Sequence, residues 1–175
     1  SLFASGTSLL AVNNPEQACA MFDSVIAHDI TNNGSELISW SYIYKAVALR
    51  ERQHEAEAYA LLQACIDNPH FLFPARAYLE IAEMHYEARD YDSSHSALRR
   101  ALRTGGDAQT TIRAHILLGS IHISNEQWSQ AKESYDNAEI VMRRTSGSPL
   151  LQREHYEDEI QLKRGIVNCR SGQDR

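Results

Sequence analysis

The sequence predicts an all-α protein, a solenoid of about four helix-turn-helix repeats closed by a C-terminal capping helix. Three observations carry this reading. Helix formers dominate, and only eight glycines and four prolines interrupt 175 residues, which favours helix over strand. Apolar residues recur at helical spacing in one segment after another. Corresponding residues also return every 37 positions: Tyr44, Ile81 and Leu118; His54, Tyr91 and Trp128; Leu61, Leu98 and Tyr135; Ala64, Ala101 and Ala138. A period in the thirties with two helices per unit marks stacked α-helical repeats, in which each unit's apolar face is covered by its neighbours.

Taken in order, residues 2–11 form a short apolar helix. It stops at Asn13-Asn14-Pro15, where Asn14 caps, Pro15 takes the first helical position and Gln17 completes a capping box. The second helix carries Ala18, Phe22, Val25 and Ile26 on one face and breaks at Thr31-Asn32-Asn33-Gly34. Ser35 caps a helix running to about Arg52, whose Trp40, Tyr42, Tyr44, Val47 and Leu49 point to nearly every side, so it is sandwiched. Its partner, from about His54 to Ile66, turns Ala58, Leu61, Leu62 and Cys65 inward and ends at Asn68-Pro69.

Phe71-Leu72-Phe73 plugs a seam between helix pairs, and Pro74 starts a helix to about Ala88. Asp90 caps a partner reaching Arg103, which Gly105-Gly106 ends. Asp107 begins the next helix, Asn125 caps its partner, and Gly147 closes the pair. Ser148-Pro149 then opens a long helix to about Cys169, with Tyr156, Ile160, Ile166 and Val167 as its apolar face. The repeats cover about 1–34, 35–73, 74–106 and 107–147, leaving 148–175 as cap and tail.

Within each pair, small residues at Ala82, Gly119, Ala101, Ala131 and Ala138 let two backbones approach, while Tyr91, Trp128, Leu98 and Tyr135 fill the spaces between. On these residues the chain resembles the tetratricopeptide repeat (TPR) family. The best copy has Leu118-Gly119, His122 where the family usually has tyrosine, then Ala131, Tyr135 and Ala138. The preceding copy reads Ile81-Ala82, His85, Ser94, Leu98 and Ala101. Gly6, Ala18 and Phe22 fit the first copy, whereas Lys45 and Glu57 stand in the second where small residues are expected. The resemblance covers about residues 1–144. It implies a right-handed α-α superhelix with a concave groove lined by the far side of each first helix.

That side carries Phe3, Thr7 and Leu10, then Tyr42, Ala46 and Leu49, then Leu79, Glu83 and Tyr86, and finally Ile116, Ser120 and Ile123. We expect Tyr42, Leu49, Leu79, Tyr86, Ile116 and Ile123 to give a partner apolar contact, with Ser120 beside them and Arg76, Glu83, Glu87 and Arg113 setting orientation. The family's chaperone-tail clamps hold lysine, arginine and asparagine here, whereas this chain has a single basic residue at the matching positions, Arg76 or, one repeat later, Arg113, so such a clamp is not expected. The expected ligand is an amphipathic helix or an extended segment of a protein, bound by a non-catalytic adaptor or scaffold. The alternative is a sensor or self-association segment of a larger regulatory protein. Ser1 is not an initiator, so the chain reads as an excised or processed piece.

Enzymatic chemistry finds no motif. There is no phosphate-binding glycine loop, no nucleophile elbow and no pair of histidines at zinc-binding helical spacing; His115 and His122 are roughly 10 Å apart along one helix. His85 and His122 hold equivalent places and read as interfacial imidazoles. No cofactor or metal is expected. The net charge of −6 and the scattered basic residues argue against a nucleic-acid surface. No apolar run reaches bilayer length, so no membrane insertion is expected. Cys19, Cys65 and Cys169 read as buried thiols in a reducing, cytoplasmic setting.

Overall fold

A computed structural model describes residues 1–28, 35–145 and 153–172. Among these residues it contains nine helices and no strand: α1 (Leu2–Ala11), α2 (Pro15–His28), α3 (Glu36–Glu51), α4 (Glu55–Asp67), α5 (Pro74–Glu87), α6 (Tyr91–Thr104), α7 (Ala108–Ser124), α8 (Trp128–Arg144) and α9 (Arg153–Ser171). The breaks assigned to Thr31-Asn32-Asn33-Gly34 and to Gly147, and the cap at Ser148-Pro149, lie outside the described residues. Contacts divide the chain into two compact units, Ser1–Met84 and His85–Arg175, with the division near the end of α5.

In the first unit α1 packs on α2, α2 on α3 and α3 on α4. Gly6 makes the first crossing possible, since a Cβ there would lie 2.7 Å from the Phe22 ring. Phe3, Phe22 and Tyr44 form an aromatic group with centroids 5.6 to 6.0 Å apart. The α3 helix is sandwiched as expected, with Ile38, Ser39, Ser41, Ile43, Ala46, Ala48 and Leu49 buried around it. Lys45, out of place in a small-residue position, reaches outward to pair with Asp23 at 2.5 Å. The Phe71-Leu72-Phe73 segment closes against α3. Phe71 is buried, Phe73 lies 4.5 Å from the Trp40 ring, and the Leu72 N–H donates to Ser39 Oγ at 3.3 Å.

In the second unit α6 packs on α7, α7 on α8, and α9 on both α7 and α8. Gly119 faces the Tyr135 ring as Gly6 faces Phe22, the aromatic in both cases sixteen residues further on. Ala131, Tyr135, Ala138 and Met142 join Ile112 and Ile116 in one core, which Tyr156, Ile160 and Val167 of α9 complete. Arg153 fastens α9 to the end of α8, donating to the carbonyls of Met142 at 3.2 Å and Thr145 at 3.0 Å. The Met142 carbonyl also accepts from the Thr145 N–H at 3.3 Å, so Arg153 adds to the closure of the helix end. Arg164 adds ion pairs to Asp136 at 3.0 Å and Glu139 at 2.6 Å. Two expectations for this helix are corrected. Ile166 is exposed, because Val167, about 100° further round the helix, takes the inward place. Cys169 is exposed as well, while Cys19 and Cys65 are buried; burial raises the Cys65 thiol to about 12.

Each helix pair is joined by the same turn. Asn13, Gln53, Arg89 and Glu126 all have φ between 56° and 62°. In each turn the N–H of this left-handed residue donates to the carbonyl three residues back, and the next N–H donates to the carbonyl five residues back: Asn13 to Leu10 and Asn14 to Leu9, Gln53 to Arg50 and His54 to Leu49, Arg89 to Tyr86 and Asp90 to His85, Glu126 to Ile123 and Gln127 to His122. This is the Schellman closure, usually built on glycine. Four copies at near-equal spacing establish the helix pair as a structural unit. Side-chain caps follow at Asn14, Ser35, Asp90 and Asp107, which accept from Gln17, Ile38, Ser93 and Thr110. Asn125 does not cap α8 as expected. It is the C-cap of α7, and α8 begins after Gln127 without a side-chain cap bond.

Candidate partner-binding surfaces

The first helix of a pair must bury one side against its second helix and expose another if it is to touch a ligand. The eleven expected contact residues divide on that criterion. Leu49 and Leu79 in the first unit, and Ile116 and Ser120 in the second, are buried, so none of them offers contact area. Their burial has an identifiable cause in the second unit: Ile116 belongs to the core completed by α9, and the Ser120 hydroxyl hydrogen-bonds the Tyr135 hydroxyl at 3.3 Å. Burial raises the Tyr135 phenol to about 12, the Ser120 bond opposing it. These side chains are therefore core, and the expectation that they line a ligand surface is corrected.

Tyr42 is half-buried on α3. The two charged candidates of the first unit, Arg76 and Glu83, are engaged within it. Glu80, 1% exposed, holds both Arg50, at 2.8 Å, and Arg76, at 2.8 Å, and Arg50 also reaches Glu83 at 3.4 Å. A carboxylate so buried is tolerated because two guanidiniums face it. Arg76 and Glu83 are thus engaged in the ion pairs around Arg50 and Glu80 that link α3 to α5.

In the second unit Tyr86, Arg113 and Ile123 are half-buried and Glu87 is exposed. Tyr86 stands 5.5 Å from the Tyr91 ring and hydrogen-bonds Ser124, while burial raises its phenol. The bond brings the end of α5 beside the Ile123-Ser124 end of α7. Ile123 also rests on the core below. This tyrosine–isoleucine edge, with Glu87 and Arg113 as its charged candidates, is the part of the expected surface that keeps accessible apolar area.

Histidines take positions the sequence did not indicate. His122 meets His95 on α6, with centroids 5.8 Å apart, and His85 lies 3.6 Å from Asp90. Burial first, and then the neighbouring His122, hold the His95 imidazole below its usual value. Burial lowers His115 too, and its Nδ1 is buried without a hydrogen-bond partner. Among the described residues no three His, Cys, Asp or Glu side chains converge on a point, and no helix is long and apolar enough to cross a membrane. Compared with known proteins, the chain matches no family model and no curated sequence.

Proposed function

We propose that the chain is a non-catalytic adaptor, a TPR-like solenoid of right-handed hand that holds a segment of another protein against the first helices of its repeats. The observation that carries this reading is the fourfold recurrence of one helix pair with the same backbone turn. Repeated hairpins of this kind present successive first helices as a continuous surface, whereas a catalytic site needs converging unlike groups. Support for the location comes from the second unit, where Tyr86 and Ile123 are only half-buried, Glu87 is exposed next to Tyr86 in the chain, and Arg113 is half-buried earlier on the helix that carries Ile123. A helix or extended segment with one or two apolar side chains and both signs of charge suits that edge. Tyr42 would provide the corresponding contact in the first unit.

The test is a double substitution, Tyr86→Ala with Ile123→Ala, in the whole chain, followed by quantitative recovery of bound proteins from the native source. Aromatic and aliphatic anchors at such surfaces contribute roughly 2 kcal/mol or more, so capture of the specific partners should fall by at least about tenfold at unchanged helicity. Undiminished capture would sink this assignment.

A further inference from the structure

We propose that a second copy of this chain docks on the outer ridge of α9, making an antiparallel, twofold-symmetric helix pair. This goes beyond the adaptor reading and uses a different surface. Tyr156, Ile160 and Val167 face the core of the second unit. Asp158, Leu162, Ile166 and Arg170 follow one another at every fourth position, a continuous ridge that winds about 40° per step from opposite the core at Asp158 toward the flank of the core face at Arg170. All four are exposed, Leu162 to 66% and Ile166 to 40%. Gly165 adjoins the two aliphatics, and a Cβ built there meets nothing within 4 Å, so another backbone has room to approach.

The order of chemistry along the ridge, acid, aliphatic, aliphatic, base, selects the occupant. When two such ridges are laid antiparallel, Leu162 of one copy lies on Ile166 of the other in the same register that sets Asp158 against Arg170, and symmetry repeats both contacts. The charged ends fall roughly 9 Å to either side of the centre at 1.5 Å rise per residue, and the length of arginine spans the divergence of crossed helices. A parallel pairing in register would oppose Asp158 to Asp158 and Arg170 to Arg170, which is repulsive. Among the described residues neither Asp158 nor Arg170 has an ionic partner within the chain. A ridge this short buries less than a standard interface, so the dimer is expected to be weak and concentration-dependent.

Sedimentation velocity on the whole chain, from about 10 μM to about 1 mM, tests it. The expected result is a reversible monomer–dimer equilibrium. Asp158→Arg and Arg170→Asp should each weaken it by roughly tenfold or more, and mixing those two variants should restore association as a heterodimer, since their charges then match. Leu162→Asp should abolish the dimer without altering the circular dichroism spectrum, because Leu162 is exposed. A wild-type chain that remains monomeric at about 1 mM would overturn the proposal. So would a dimer indifferent to the three substitutions, or two reversed variants that do not recover on mixing.

Discussion

Replacing Gly119 with alanine puts a methyl group where the Tyr135 ring already lies. The new Cβ would be 2.6 Å from Cζ and 2.8 and 2.9 Å from the two Cε atoms, against roughly 3.5–4.0 Å for carbon atoms in contact. About 1 Å of separation must be recovered. Tyr135 has no exposed surface and its hydroxyl is tied to Ser120, so the ring cannot swing into solvent. Overpacking of this kind costs about 1–3 kcal/mol. Alanine gains up to about 1 kcal/mol over glycine in a helix interior, which leaves a net loss of roughly 0–2 kcal/mol. Gly165→Ala is the control: it has the same propensity gain and no neighbour within 4 Å. The two variants should therefore differ by about 1–3 kcal/mol, with Gly165→Ala the more stable. In urea, at a slope of about 2 kcal/mol/M, the midpoints should separate by roughly 0.5–1.5 M. Gly119→Ala combined with Tyr135→Leu should lose less than the sum of the single changes. Equal midpoints for the two glycine variants, or strict additivity in the double variant, would refute the close crossing of α7 and α8.

Three further outcomes are expected. Glu80→Gln keeps the shape of the side chain but removes the buried carboxylate that Arg50 and Arg76 share, leaving Glu83 beside Arg50, and should destabilise by about 2–4 kcal/mol in chemical denaturation; Asp23→Asn, which removes the partly exposed pair with Lys45, should cost less than about 1 kcal/mol. His95 and His115 have folded-state values below those of the unfolded chain, so the unfolded chain binds more protons as pH falls below about 6.5. The stability they permit is present above that pH and is lost as pH falls toward their folded values. His115→Leu, which also removes a buried nitrogen without a partner, should flatten the pH 7 to 5 fall in urea midpoint, and an unchanged slope would show that His115 does not contribute.

Helices were legible because their ends are written in local chemistry. Pro15, Pro74, Ser35, Asp90 and Asp107 begin helices in the structure as the sequence suggests, since each meets an orphan N–H or a fixed φ. The joints were only half legible. Gln53, Arg89 and Glu126 carry none of the side chains associated with a left-handed backbone, and only their recurrence near the repeat spacing marks them. Depth was the least legible property. Leu49, Leu79 and Ile116 share a helical face with exposed neighbours, and a chain sandwiched on both sides shows no single polar face that tells groove from core. Ile166-Val167 shows the same difficulty at one position, because adjacent β-branched residues cannot both point inward and periodicity does not choose between them.

The four left-handed joints have a practical consequence. Asn13, Gln53, Arg89 and Glu126 are all exposed, and none of their side chains is needed for the backbone bonds that close each turn. Their side chains are thus available for attachment at equivalent stations along the protein. Cysteines introduced pairwise at these stations, with Cys169 replaced so that no exposed native thiol competes, give a graduated scale for spin labels or dyes. Distances read along it would report how successive hairpins are spaced.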